Sequence, residues 1–227
     1  MTRLLAIPAL LTVLSAASTA SAAVTVIGID ISTSSPIAYN QGVANNAADY
    51  LKAKTLAMQP GDRIRVLSVG LAGTGPREID LKASISNRAK ERPEIIAMQL
   101  ERYIRSLPAM TKAGKLTPQN ATSLIDFLEG FEAHDCQSVS TRIILFTDGL
   151  EASHRIKERD LASGKYLLPM PEKRYLDGCD VEIRGVGQVA AGGNSDGLFA
   201  QLKPQWEKFL EAAGAREVII TREVGGF

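Results

Sequence analysis

Asp30-Ile31-Ser32-Thr33-Ser34 sets a carboxylate and two hydroxyls at i, i+2 and i+4, where the β-branched run 24–31 ends. Residues at that spacing leave a strand as it turns toward a helix, so their oxygens can converge on one point above a sheet. A second acid, Asp148, follows the apolar run 141–147 and precedes Gly149. Thr122 opens a later helical segment and can offer a third hydroxyl. If the two runs are neighbouring strands, two carboxylates and three hydroxyls meet. All five are hard oxygen donors, which Mg²⁺ takes in an octahedron while keeping several waters. Two acids only balance the charge of such an ion, which would stay electrophilic and could accept a carboxylate from a partner. That chemistry is binding, and it needs no nucleophile. The bland alternative is a helix-capping Asp/Ser cluster with Asp148 in a turn. It does not account for all five residues together.

The elements that must position these groups follow from periodicity. Residues 24–31, 63–71, 141–147, 180–186 and 216–224 are short, apolar and β-branched, and they read as strands. Residues 77–85 alternate, with Ile79, Leu81, Ala83 and Ile85 on one face, which suits a sheet edge. The turn Gly73-Thr74-Gly75-Pro76 before them implies a hairpin, hence an antiparallel edge. Helices are expected over 39–58, 91–107 with Pro108 just past the end, 123–132, and 195–213 with Pro204 resetting it. The long charged crossover 151–178 is part helix. Strands that alternate with helices predict an α/β fold: a doubly wound, mostly parallel six-stranded sheet with one antiparallel edge strand and helices on both faces. In such sheets ligands bind outside the carboxyl ends of the strands, at the point where strand order reverses. Asp30 and Asp148 occupy such ends.

Composition narrows the function classes. The chain has 26 Lys+Arg against 25 Asp+Glu, which gives no electrostatic case for nucleic acid or an anionic membrane surface. Two His and two Cys are too few for a zinc or iron–sulfur centre. Residues 1–22 read as a secretory signal peptide: Arg3, the apolar run 4–14, then small residues ending in Ala20-Ser21-Ala22, an A-x-A cleavage pattern. The run is shorter than the roughly 20 residues a spanning helix needs. The mature domain, 23–227, is then expected in the periplasm or secreted, without membrane insertion and monomeric on its own. In an oxidising compartment Cys136 and Cys179 are expected to pair. Each lies just before a strand, so the bridge belongs at the amino edge of the sheet, opposite the candidate site.

Asp30-x-Ser32-x-Ser34, a Thr opening a later helix, and Phe146-Thr147-Asp148-Gly149 at a strand end resemble a von Willebrand factor type A domain with its metal-ion-dependent adhesion site. The resemblance covers about residues 24–224. The family's strand order, with an antiparallel third strand at one edge, is similar to the order read above. The resemblance implies that Ser32, Ser34 and Thr122 coordinate Mg²⁺ (or Mn²⁺ or Ca²⁺), with Asp30 and Asp148 acting largely through water. The family's Gly-Gly before the Thr is here Asn120-Ala121, which leaves Thr117 as a fallback. Together with the leader read above, it implies an exported protein-binding module, not an enzyme, whose partner donates an Asp or Glu.

Two other functions compete: a scaffold subunit of an envelope assembly with a structural metal, and a metal-assisted hydrolase. The hydrolase needs a general base, and Glu151 is the only acid close to Asp148 in sequence. Gly185-Val186-Gly187-Gln188-Val189-Ala190 matches a dinucleotide pattern but does not open a helix. The crossover 151–178 is expected to rim the partner surface and to select which acidic partner reaches the ion, the alternative being a solvated helix and loop.

Overall fold

The computed structural model describes residues 22–70, 78–192 and 195–226. The strands are β1 (Val24–Asp30), β2 (Arg63–Val69), β3 (Asp80–Ser84), β4 (Thr141–Phe146), β5 (Asp180–Arg184) and β6 (Glu217–Thr221). The helices are α1 (Gln41–Leu56), α2 (Pro93–Lys112), α3 (Leu124–Glu129), α4 (Glu158–Ala162) and α5 (Ser195–Ala212), with a 3₁₀ turn at Pro36–Ala38. One sheet of order β3-β2-β1-β4-β5-β6 holds all six strands. Every pairing is parallel except β2 with β3, so the antiparallel edge lies where the alternation of residues 77–85 put it. The residues 71–77 expected to turn that hairpin, and residues 1–21 of the leader, lie outside the described residues.

The central strands β1, β4 and β5 are buried on both faces, while the edge strands β3 and β6 are largely exposed, and the period of two shows where each side chain goes. Ile27 and Ile29 of β1 join Ile64, Val66, Ile144 and Phe146 under α1 and α2. Val26 joins Val69, Ile143, Leu145, Val181 and Ile183 under α3 and α5, where Trp206 and Phe209 fill the layer. Gly28 faces the second layer. A Cβ there would come within 2.5 Å of Leu145 Cδ2 and 2.9 Å of Val69 Cγ2, and close to the Phe127 ring. The missing side chain lets α3 sit down on the sheet.

Two prolines depart from expectation. Helix α2 runs through Pro108 to Lys112, and α5 runs through Pro204. Pro108 removes the one bond its nitrogen would give to the Ile104 carbonyl. Burial of Leu107 and packing of Met110 against the same core outweigh that loss. Cys136 and Cys179 form a disulfide with Cα atoms 5.0 Å apart, at the amino ends of the neighbouring strands β4 and β5. Among the described residues no helix is long and apolar enough to cross a membrane.

Candidate metal-binding site

The strand order reverses between β1 and β4, whose mutual pairing carries both chains to the same edge. Asp30 is the last residue of β1, and Asp148 lies two residues past the end of β4. Both carboxylates are fully buried, as are Ser32 and Thr122, while Ser34 is half-buried. Asp30 Oδ1 accepts the backbone N–H of Ser32 at 2.8 Å and the Thr122 hydroxyl at 3.2 Å. The Ser32 and Ser34 hydroxyls lie 3.2 Å apart. Asp148 Oδ1 accepts the Leu150 N–H at 2.9 Å. Asp148 Oδ2 has no hydrogen-bond partner among the described residues, although the Ser34 hydroxyl eases its charge. The structure therefore brings together Asp30, Ser32, Ser34, Thr122 and Asp148. Thr117, the fallback for the third hydroxyl, is exposed on the surface.

Burial raises the pKa of both acids. For Asp30, removal from water outweighs the hydrogen bonds from Thr147, Ser32 and Thr122. For Asp148, burial and then the charge of Asp30 push the carboxyl up to about 8. Two buried carboxyls that repel each other, with one oxygen unpartnered, fit a cation between them and the hydroxyls. This donor set matches a small hard divalent ion, which tolerates hydroxyl and water ligands.

Several residues that hold this site have supporting roles that the sequence did not assign to them. The Thr147 hydroxyl donates to Asp30 Oδ2 at 2.7 Å, which aims that carboxylate. Its place directly before Asp148 was the available signal. Glu151 is fully buried, and its Oε2 accepts the N–H groups of Leu124 at 2.8 Å and Ile125 at 3.1 Å. The Ala152 N–H donates to the Thr122 carbonyl at 2.8 Å. Glu151 thus ties the loop after Asp148 to the start of α3 and so sets Thr122 on Asp30. Its other oxygen, Oε1, is buried without a hydrogen-bond partner among the described residues. Glu158, at the start of α4, is close enough for its charge to raise Asp148 further. Exposed Tyr39 feels the charge of Asp30 and stands at the mouth.

Around the site, Gly149 takes a φ of +80°, and its carbonyl accepts the Trp206 indole N–H at 2.8 Å. The Gly-rich loop after β5 turns back onto the site, and the Ala190 N–H donates to the Ser34 carbonyl at 2.7 Å. That loop buttresses β1 where a dinucleotide pattern would open a helix. The crossover is anchored at a few positions: Leu161, Leu168, Tyr175 and Leu176 pack into the α3–α5 layer. The Leu168 N–H donates to Gln205 Oε1 on α5 at 3.0 Å. Between and beyond these anchors Tyr166, Leu167 and Met170 stay exposed.

No family model and no curated protein matches this chain. Solved structures resemble it at low identity. An aerotolerance-related membrane protein from Bacteroides fragilis shows 14% identity over 88% of this chain and 90% of its own, with a TM-score of 0.45. The VWA domain of SpRpn10 shows 13% identity over 88% of this chain and 87% of that one, with a TM-score of 0.42. The pilus adhesin SpaC from Lactobacillus rhamnosus GG shows 9% identity and a TM-score of 0.44 over 91% of this chain, which spans 29% of the adhesin. The assignment stands on this chain's own topology, a six-strand sheet reversing between β1 and β4 with an antiparallel third strand at one edge. The chain has a von Willebrand factor type A-like fold.

Proposed function

We propose that this protein is an exported protein-binding module that holds a divalent ion, Mg²⁺ by the chemistry of its donors, at the carboxyl edge of the sheet. Ser32, Ser34 and Thr122 would offer hydroxyls to the ion, and Asp30 and Asp148 its counter-charge. The observation that carries this reading is the unpartnered, buried Asp148 Oδ2 beside a second buried carboxylate and the Ser32–Ser34 hydroxyl pair. When bound, the ion supplies an electrophilic position for a carboxylate from an Asp or Glu of a partner. Asp30 is held by Thr147, Thr122 and the Ser32 amide, so its orientation is set before any ligand arrives.

The depth of the site favours a second reading. Asp30, Ser32, Thr122 and Asp148 are all at most 3% exposed, which suits a metal that only braces a scaffold. Calorimetric titration of Mg²⁺ and Mn²⁺ tests the site itself. Asp30→Ala and Ser32→Ala should each abolish binding while the fold survives, and unchanged affinity in both removes the metal from the proposal. Partner capture from the native envelope fraction then separates the readings. Loss of the partner in EDTA and in Asp148→Ala supports recognition through the ion. Retention in both leaves the scaffold.

A further inference from the structure

At the opposite edge of the sheet, the described chain begins with exposed Ala22, and Ala23 is its first residue held by the fold. The Ala23 carbonyl accepts the Arg63 N–H at 2.9 Å, and the Val24 N–H donates to the Ser140 carbonyl at 2.9 Å. Both neighbours of β1 therefore grip the chain from this point onward. The Ala23 nitrogen points out of the ladder and donates to Asp62 Oδ1 at 2.8 Å. The other oxygen of Asp62 accepts the Gln59 N–H at 2.8 Å. Among the described residues no basic side chain forms an ion pair with Asp62. Lys54 and Arg142 line the same 380 Å³ cleft as Ala23 and Asp62, but neither reaches that carboxylate. Two amides satisfy the oxygens of Asp62, and its charge has no counter-ion.

Ala22 is also the last residue of the A-x-A pattern Ala20-Ser21-Ala22. We propose that the Ala22–Ala23 peptide bond is the processing site and that Asp62 is a built-in receptor for the α-ammonium group that processing creates. This rests on the leader reading of the sequence and is independent of the metal site. A leader peptidase would hydrolyse the bond with one water, leaving a carboxylate on Ala22 and an amine on Ala23. An α-amine of ordinary pKa, about 8, takes up a proton at neutral pH. The nitrogen that is a neutral donor in the precursor becomes a cation at the same place, against a carboxylate that lacks one. Maturation would thus add an ion pair that locks the first strand into the sheet. Cleavage one residue later would leave Val24 first, whose nitrogen is bonded to the Ser140 carbonyl instead.

The test uses the exported full chain. Mass spectrometry of the amino-terminal peptide should find Ala23 first. The purified protein is then compared with its α-acetylated form at pH 6.5, in wild type and in Asp62→Asn. Acetylation should lower the melting temperature by about 2 °C in wild type, the scale of a half-exposed ion pair, and by much less in Asp62→Asn. Asp62→Ser, which keeps an acceptor for Gln59, replaces Asp62→Asn if the latter does not fold. A mature chain starting elsewhere, or an uncleaved one, overturns the site. An equal acetylation effect in wild type and variant overturns the role of Asp62.

Discussion

Replacing Asp148 with Asn should stabilise the metal-free protein while destroying the proposed metal site. Asp148 is buried, has one oxygen without a partner and is pushed up to about 8 by burial and by Asp30. Its ordinary value is 3.8, so between these two values the folded chain keeps a proton that the unfolded chain gives up. Below pH 3.8 both states are protonated and nothing is lost. As pH rises toward 8 stability falls steadily, and above 8 the full cost is in place. At pH 7 the cost reaches roughly 4 kcal/mol at 1.36 kcal/mol per pH unit. Local relaxation would reduce this, and about 2 kcal/mol is a realistic working figure. Asn has the same shape and no charge to desolvate. For a domain of this size, about 2 kcal/mol moves the melting temperature by roughly 5 °C. The assay is thermal unfolding in EDTA from pH 5 to 8.5, repeated with Mg²⁺. Wild type should fall with rising pH relative to Asp148→Asn and melt below it at pH 7.5. Mg²⁺ should raise wild type, most at high pH where it no longer competes with a proton, and leave Asp148→Asn unmoved. An Asp148→Asn protein that melts lower in EDTA and responds to Mg²⁺ like wild type would refute the reasoning.

Four further outcomes are expected. Converting Cys136 and Cys179 to Ser opens a 43-residue loop and should cost up to about 4 kcal/mol, seen as a drop of several degrees in melting temperature; equal melting temperatures would show the bridge to be inert. Glu151→Ala strips the acceptor from the Leu124 and Ile125 amides and should weaken Mg²⁺ about tenfold by loosening Thr122, whereas Glu151→Gln retains an acceptor and should stay within about twofold, read by calorimetry. Gly28→Val should cost about 1–3 kcal/mol in chemical denaturation, because its side chain must displace Leu145, Val69 and Phe127. Trp206, the one tryptophan, bonds to the Gly149 carbonyl beside Asp148 and should change its emission on Mg²⁺ addition, a response absent in Asp148→Ala.

Much of the architecture follows from local pattern. The β-branched runs, the helices between them and the alternation of residues 77–85 state a parallel sheet with one antiparallel edge, because burial on two faces and burial on one leave different periodicities. Asp30, Ser32 and Ser34 were legible because five consecutive residues at a strand end must stay close whatever the rest of the chain does. The disulfide was legible because two cysteines allow one intramolecular pairing. What joins distant segments was not legible in the same way. Thr122 over Thr117, Thr147 as the second hydroxyl on Asp30, and Glu151 as the tie to α3 all depend on which atoms meet across 26 to 117 residues of chain. The continuation of α2 through Pro108 depends on the core that Leu107 and Met110 enter. The crossover is anchored where Leu161 and Leu168 enter the core and the Leu168 amide meets Gln205 on α5, contacts that no local spacing encodes. Residue type and short-range spacing determined the elements and the three-residue seed of the site. Tertiary packing decided its remaining oxygens, the burial that perturbs its acids, and which loops stand around it, because those are long-range contacts formed only when the sheet is assembled.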